Sequence, residues 1–514
     1  MYDVIVIGGG PAGLMAAISA REYGARVMLI EKGNRLGRKL AISGGGRCNV
    51  TNAKPLPELM ENIPGNAKFL YSALSQFSNQ DIMHFFEQLG IGLKEEDRGR
   101  VFPVSNDAKT VVKAVVDRMY SLGVEVLLDT PVSRILAKDG QFSGIRLARG
   151  QTLTASAAVI ATGGCSVPQT GSTGDAYAWA KSVGHHIVDP YPTEVPLRSD
   201  EPWIVSRKLQ GLSLYGIEIS IWTGKGKRLT TESGDLLFTH FGLSGPAALR
   251  CSHYVSTAKR RDPNIDLQAT IDLLPTTTQD EWLQSLQDDR ARHPRRAMGT
   301  ELELAFPERL AAYIADVARV PRDLQLAHLT RVQMNKLGQT IKRCPVHVTG
   351  TLPLEKATVT GGGVSVKEID PKTMQSKLCR GLFFAGEVMD VHAHTGGYNI
   401  TVAFSTGRLA GKSAAFQVRS AQAPVSADTT AAPTHSPRHN GALCESKPLD
   451  LLVLHGCSIF TAELARVLAV RRVSVSVLLV QPGATAHGRA RLGAHDWPRR
   501  FIAAPNRLSS RWHE

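Results

Sequence analysis

The chain has 514 residues, 43% hydrophobic and 21% charged, with a formal net charge of +14 at pH 7. Such a length and apolar content fit a globular protein of two or three domains and exclude a disordered or low-complexity chain. No stretch reaches the roughly 18 uninterrupted apolar residues of a membrane helix. The apolar start lacks a basic leader, and seven cysteines stand singly without CxxC or metal-ligand spacing. These features predict free thiols in a reducing compartment, a cytoplasmic location and no metal site. Residues 449–514 carry nine Arg against four acids. The rest of the chain is mildly basic, enough to attract polyanions but without an RNP or GXXG signature for RNA.

The chain opens with an apolar strand, Asp3 to Ile7, followed by Gly8-Gly9-Gly10-Pro11-Ala12-Gly13 and a helix from Leu14 to Tyr23. GxGxxG therefore falls on Gly8, Gly10 and Gly13 between a strand and a helix, the arrangement in which a diphosphate rests on a helix N-terminus. A second strand, Arg26 to Ile30, ends in Glu31, an acceptor for ribose hydroxyls. Helical patterns follow at Ala67 to Leu89 and Ala108 to Leu122, with strands at Glu125 to Leu128 and Ala158 to Ala161. This first part of a dinucleotide-binding domain spans 1–191.

Residues 192–349 read differently, with strand-like alternation at Gly216 to Trp222 and Ile265 to Leu273 and then helix-rich sequence from Gln279 to Leu337. They form an insertion. The nucleotide domain resumes over 350–417, with the strand Leu382 to Ala385 and a final helix from Val402 to Gln417. An Ala/Pro/Ser/Thr-rich segment at 418–448 reads as a flexible linker. The extension 449–514 shows a strand-helix-strand pattern at Leu451 to Leu454, Thr461 to Ala469 and Val473 to Val480. Its turn, His455 to Phe460, has one glycine where a phosphate cradle uses three.

The densest motif is Gly37-Arg38-Lys39-Leu40-Ala41-Ile42-Ser43-Gly44-Gly45-Gly46-Arg47-Cys48-Asn49-Val50-Thr51-Asn52. Three glycines flanked by Ser43, Arg47 and Asn49 let backbone lie against a flat ring or a phosphate while side chains supply donors. Further glycines follow strands at Thr162-Gly163-Gly164 and Gly386-Glu387. In a doubly wound sheet such turns converge on one crevice.

Taken with Gly99 to Pro103, Ala161 to Asp175, Leu237 to Pro246, Thr360 to Val364 and Gly386 to Asn399, these blocks resemble the BaiN-type NAD(P)/FAD-dependent oxidoreductases, also called aminoacetone oxidase family FAD-binding enzymes. The likeness runs from Met1 to about Lys412. It implies an α/β fold: a discontinuous Rossmann-like FAD-binding domain with an inserted β-barrel and helical region. It also implies FAD as cofactor and NAD(P)H as electron donor. By matching position, Gly8, Gly10 and Gly13 hold the diphosphate and Glu31 the adenosine ribose, with Pro11, Ala12 and Lys32 as further cofactor-binding positions. Arg38, Lys39, Ser43, Gly44, Gly45, Gly46, Arg47 and Asn49 lie on the flavin side, Thr162 and Gly163 on the adenosine half. Gly386, Glu387, Gly396, Gly397, Tyr398 and Asn399 close over ribityl and ring. The chain departs from the family at His392-Ala393-His394, and the extension after about Gln417 has no counterpart.

The resemblance implies reduction of a carbon–carbon double bond, in uridine of large-subunit ribosomal RNA or in an unsaturated steroid-like ketone. An amine oxidase using oxygen and a non-catalytic flavin-bearing RNA-binding protein are the alternatives. The basic charge favours RNA over a small-molecule substrate. Cys48, beside Arg47, is the candidate proton donor if its thiol is acidified, or else a buried space-filler. His240, His392 and His394 are weighed between substrate contact and structural packing. Oligomeric state is not encoded in any motif.

Overall fold

In a computed structural model, the described residues are 2–422 and two short strands at 452–454 and 477–479. Met1–Val425 form one compact unit and Ser426–Glu514 a second. In the second unit Leu452–Leu454 pairs in parallel with Val477–Leu479, inside the two strands expected there. The expected helix Thr461 to Ala469, the turn His455 to Phe460, nearly all of the 418–448 linker, and Cys444 and Cys457 lie outside the described residues.

The first unit is built on a five-stranded parallel sheet in the order Leu382–Phe384, Ala155–Ile160, Tyr2–Ile7, Val27–Ile30, Glu125–Leu127. Near-continuous burial of Val4 to Ile7, Val27 to Ile30 and Ala157 to Ile160 explains why these strands read as apolar runs and not as alternation. Helix Pro11–Glu22 begins three residues earlier than expected, because proline fits the first helical turn.

The last helix, Tyr398–Gln422, packs along the first. It runs five residues beyond the expected end, so 418–422 belong to the helix and not to a linker. Gly407 and Gly411 make that contact possible. A Cβ on either would sit 2.3 Å from the Ala12 carbonyl oxygen or 2.1 Å from that of Ala16. Ser19 Oγ donates to the Arg408 carbonyl at 2.8 Å across the same seam.

Two expectations in this region are revised. The stretch 67–89 is not one helix but a turn at Ala67–Leu70, a helix at Tyr71–Gln76, and a second helix at Asn79–Gln88 started by a Ser78/Asp81 capping box. An antiparallel three-stranded sheet, Val132–Lys138, Gln141–Leu147 and Thr152–Leu153, follows the parallel strand Glu125–Leu127 and was not anticipated.

The chain leaves the parallel-sheet region through Ile187–Thr193 and returns through Val359–Val364, and these two strands pair antiparallel. Between them lies a seven-stranded antiparallel sheet: Cys344–His347, Leu267–Asp272, Ser213–Thr223, Arg228–Phe238, Gly242–Ser244, Leu197–Arg198, Gly350–Thr351. Its two edge strands are successive pieces of one segment. Val348 donates to the Leu267 carbonyl and Thr349 to that of Arg198 at the bend between them. The pairing therefore gives a strongly bent sheet, which is as far as the expected β-barrel is shown. Helices Gln279–Arg292, Glu308–Ala318 and Arg331–Lys342 accompany it, around a hydrophobic cluster separate from that of the parallel sheet.

Candidate flavin site

The carboxyl ends of the parallel strands open onto a cavity of about 790 Å³. Its wall brings together Gly8, Gly10, Pro11, Ala12, Glu31, Arg38, Lys39, Ser43, Gly44, Gly45, Arg47, Asn49, Thr162, Gly163, Gly386, Glu387, Gly396, Gly397, Tyr398 and Asn399. Four expected residues are absent from that wall: Gly13, Lys32, Gly46 and Cys48. Gly13 packs within the fold, where a Cβ would stand 1.8 Å from the Gly8 carbonyl oxygen. Lys32 is tied to Asp175 at 2.5 Å and to the Thr173 hydroxyl.

Gly10 is different from Gly13. Its φ is −78° and no atom lies within 4 Å of where a Cβ would be. Nothing in the protein itself demands glycine there; a Cβ would intrude only on something lying against the helix N-terminus, the place a diphosphate takes. Glu31 spans the same turn, accepting the Gly9 N–H at 2.7 Å and the Gly33 N–H at 2.8 Å.

Across the cavity, Lys39 Nζ lies 2.8 Å from Glu387 Oε2 and donates to Ser166 Oγ at 2.8 Å. Ser166 Oγ and the Thr360 N–H donate to Glu387 Oε1 at 2.9 and 2.7 Å. Burial pushes the Glu387 carboxyl up, but the Lys39 charge and the hydrogen bonds outweigh it and hold the carboxyl below its usual range. Ser166 and Thr360 were not singled out from sequence; their only signal is a small polar residue next to a strand or glycine turn.

The 43–48 loop is shaped by its backbone. Gly44, Gly45, Gly46 and Cys48 all have positive φ (57°, 69°, 86° and 62°). Arg47 fastens it outward, donating to Asn106 Oδ1 at 2.9 Å, pairing with Glu96 and lying 4.1 Å over the Phe102 ring. Of the two readings of Cys48, an acidified donor beside Arg47 or a buried space-filler, the geometry favours the second. The thiol is fully buried off the cavity wall, and burial pushes it up to about 11. The space-filling reading stands, because desolvation acts where the guanidinium does not reach.

The three histidines are not on the wall either. His240 is exposed and packs on Phe241. His392 and His394 are buried behind the loop that carries Thr395 to Asn399. His392 Nε2 meets His253 Nδ1 at 2.9 Å, and burial lowers the two imidazoles to about 3 and about 4. Glu194, a buried non-glycine residue at φ 51°, pairs with His394 Nδ1 at 2.9 Å and accepts the Thr395 N–H at 2.7 Å. Asn399 holds the same loop through the Ala393 backbone at 2.9 and 2.7 Å. His392 and His394 thus pack behind Gly396 and Gly397.

Two buried polar atoms on the cavity residues, Asn49 Oδ1 and Thr162 Oγ1, have no hydrogen-bond partner among the described residues. Buried oxygens without a partner are costly, so a ligand that hydrogen-bonds to both fits them. The open Gly10 cradle and these two atoms fit an extended FAD. Among the described residues no group of side chains could hold a metal ion, and no helix is long and apolar enough to cross a membrane.

Residues 2–413 match the model of the HI0933-like protein Rossmann domain family. The chain is 33% identical over 405 residues to the ribosomal RNA dihydrouridine synthase of Escherichia coli (strain K12), covering 79% of this chain and 96% of that protein. It is 27% identical over 422 residues to the 3-dehydro-bile acid delta(4,6)-reductase of Clostridium scindens, covering 81% of this chain and 99% of the other. Among solved structures, an open-conformation flavocytochrome c3 fumarate reductase is similar at 17% identity and a TM-score of 0.40, over 81% of this chain and 78% of that one.

Proposed function

The chain belongs to the HI0933-like family of FAD-binding oxidoreductases, and from that premise we propose that it reduces a carbon–carbon double bond with NAD(P)H as donor, uridine to dihydrouridine in large-subunit ribosomal RNA. The observation that carries this reading is the 33% identity to a ribosomal RNA dihydrouridine synthase across 96% of that protein's length. The positive charge of the chain supports it, since a polyanionic substrate is drawn to such a surface.

Saturating the bond adds a hydride to one carbon and a proton to the other. Bound FAD supplies the hydride chemistry, being reloaded by NAD(P)H. The chain's own residues do the positioning. Gly10 and the first-helix N–H groups hold the diphosphate, and Glu31 accepts from the adenosine ribose. Asn49 Oδ1 and Thr162 Oγ1 accept from cofactor donors that would satisfy them. Glu387, kept charged by Lys39, accepts from hydroxyls. The backbone opening the last helix at Tyr398 places N–H dipoles where negative charge accumulates. Tyr398, pushed up to about 12 by burial, keeps its phenolic proton at neutral pH.

The test is the nucleoside composition of large-subunit ribosomal RNA with and without the gene. Loss of a dihydrouridine on deletion is the expected result, and unchanged RNA ends this reading. The Clostridium scindens relative supports a second reading, reduction of an unsaturated steroid-like ketone. Anaerobic reoxidation of the NAD(P)H-reduced protein by such a ketone, but not by uridine-containing RNA, would select it.

A further inference from the structure

We infer that Arg98 and Arg250 form an anion clamp at the cavity mouth that takes a phosphodiester of the substrate strand. This rests on the RNA reading above and deepens it by naming what holds the nucleic acid beside the reacting base. Both arginines are cavity residues that come from different parts of the fold. Arg98 sits at φ 61° in the turn Asp97–Gly99 between the strands Leu93–Glu96 and Arg100–Pro103. Arg250 is on the helix Pro246–Arg261 of the insertion.

Their guanidinium groups meet over Gly234, in the middle of the strand Arg228–Phe238. The point where a Cβ would stand on Gly234 is 2.8 Å from Arg98 Nη1, 3.4 Å from Arg98 Nη2 and 3.2 Å from Arg250 Nη2. A glycine inside a strand marks a close approach, and here what approaches is a pair of like charges. Such a pair is unfavourable unless carboxylates or an external anion offset it.

The carboxylates nearby are already engaged. Glu232 Oε2 takes Arg250 Nε at 3.0 Å, and Asp97 pairs with Arg100. Asp235 Oδ1 accepts the Gly216 N–H at 3.2 Å, while Glu96 is shared by Arg47 and Lys94. Arg250 is further fixed by donating to the Ser233 carbonyl. Among the described residues the Arg98 guanidinium has no side-chain or backbone acceptor. One rigid guanidinium thus stands beside one uncommitted guanidinium, on a cavity wall that carries eight Lys or Arg against five Asp or Glu, and presents a planar fork suited to a phosphate oxygen pair.

The experiment uses the FAD-loaded protein and two probes, a uridine-containing RNA pentanucleotide and inorganic pyrophosphate, each titrated over a salt series. Arg98→Gln is expected to weaken pentanucleotide binding about tenfold and to lower the slope of log affinity against log salt by roughly 0.7, the value for one single-strand phosphate contact. Arg98→Lys, which keeps the charge without the fork, is expected to recover part of the affinity and the full slope. Unchanged affinity and slope in Arg98→Gln would overturn the clamp while leaving the RNA reading intact. If the unsubstituted protein fails to bind the pentanucleotide, the RNA reading falls. Pyrophosphate then decides the clamp separately: binding lost in Arg98→Gln supports an anion site, and binding equal in both proteins, or absent from both, overturns it.

Discussion

In the turn Gly8–Gly13 glycine is required at Gly13 where backbone meets backbone and at Gly10 where backbone meets ligand, whereas in Ser43–Cys48 it is required at Gly45 and Gly46 for the dihedral angles themselves. At Gly13 a Cβ would penetrate the Gly8 carbonyl, but at Gly45 and Gly46 nothing lies within 4 Å and only the positive φ stands against a side chain. The first loop is thus fixed by the packing of helix on strand and exists before any cofactor arrives. The second holds its shape by conformation and by the outward grip of Arg47. A rigid cradle for the diphosphate and a lightly packed one for the flavin end are the result.

The largest effect expected is from Gly13→Ala. A Cβ 1.8 Å from a backbone oxygen cannot be relieved by a side-chain rotation, so a loss of at least ~3 kcal/mol and failure to obtain folded protein, with or without FAD, are expected. Recovery of a stable apoprotein from that variant would erase the distinction between the loops. Next comes acid. His392 and His253, lowered to about 3 and about 4, are neutral when folded, so their contribution is present in full above the unfolded value of about 6.5 and is lost as pH falls from there toward 4 and 3. Each contributes a slope of up to ~1.4 kcal/mol per pH unit, so urea midpoints should drop steeply between pH 6 and pH 4, and less so in His392→Gln.

Gly10→Ala should leave the melting temperature of the apoprotein unchanged but weaken FAD about tenfold or more, roughly 1.4 kcal/mol, because its Cβ meets only the ligand. Gly45→Ala reverses that pattern in small measure: about 1 kcal/mol of left-handed strain in the protein itself, seen as a lower apoprotein melting temperature. Smallest of all is Cys48→Ala, for which turnover should stay at the wild-type level. A hundredfold fall in turnover with FAD still bound would return the thiol to the chemistry.

Much of the nucleotide-binding half was legible because its glycines encode constraints local to the chain. A strand, three glycines, a helix and an acid at Glu31 specify a backbone path without reference to distant residues. What escaped depends on partners far away in sequence. The sequence leaves Cys48 open between an acidified donor and a buried space-filler, because its burial and the turning of Arg47 toward Glu96 and Asn106 are tertiary facts. Ser166 and Thr360 acquire a role only when the fold brings Glu387 between them. His392 and His394 read in sequence as packing more readily than as chemistry, but the partners that hold them, His253 and Glu194 from the insertion, could not be named from it. Gly407 and Gly411 carried a readable signal, two glycines one helical turn apart, which was passed over.

That pair has a consequence for biosynthesis. The outer strand Leu382–Phe384 and the helix that locks onto Ala12 and Ala16 are both made after the whole insertion. A nascent chain therefore carries its diphosphate turn at the very beginning but lacks the brace for it until residue 411 has emerged from the ribosome. A chain truncated before Gly411 is therefore expected to bind FAD poorly, whereas one truncated within the 103 residues that follow keeps the brace complete.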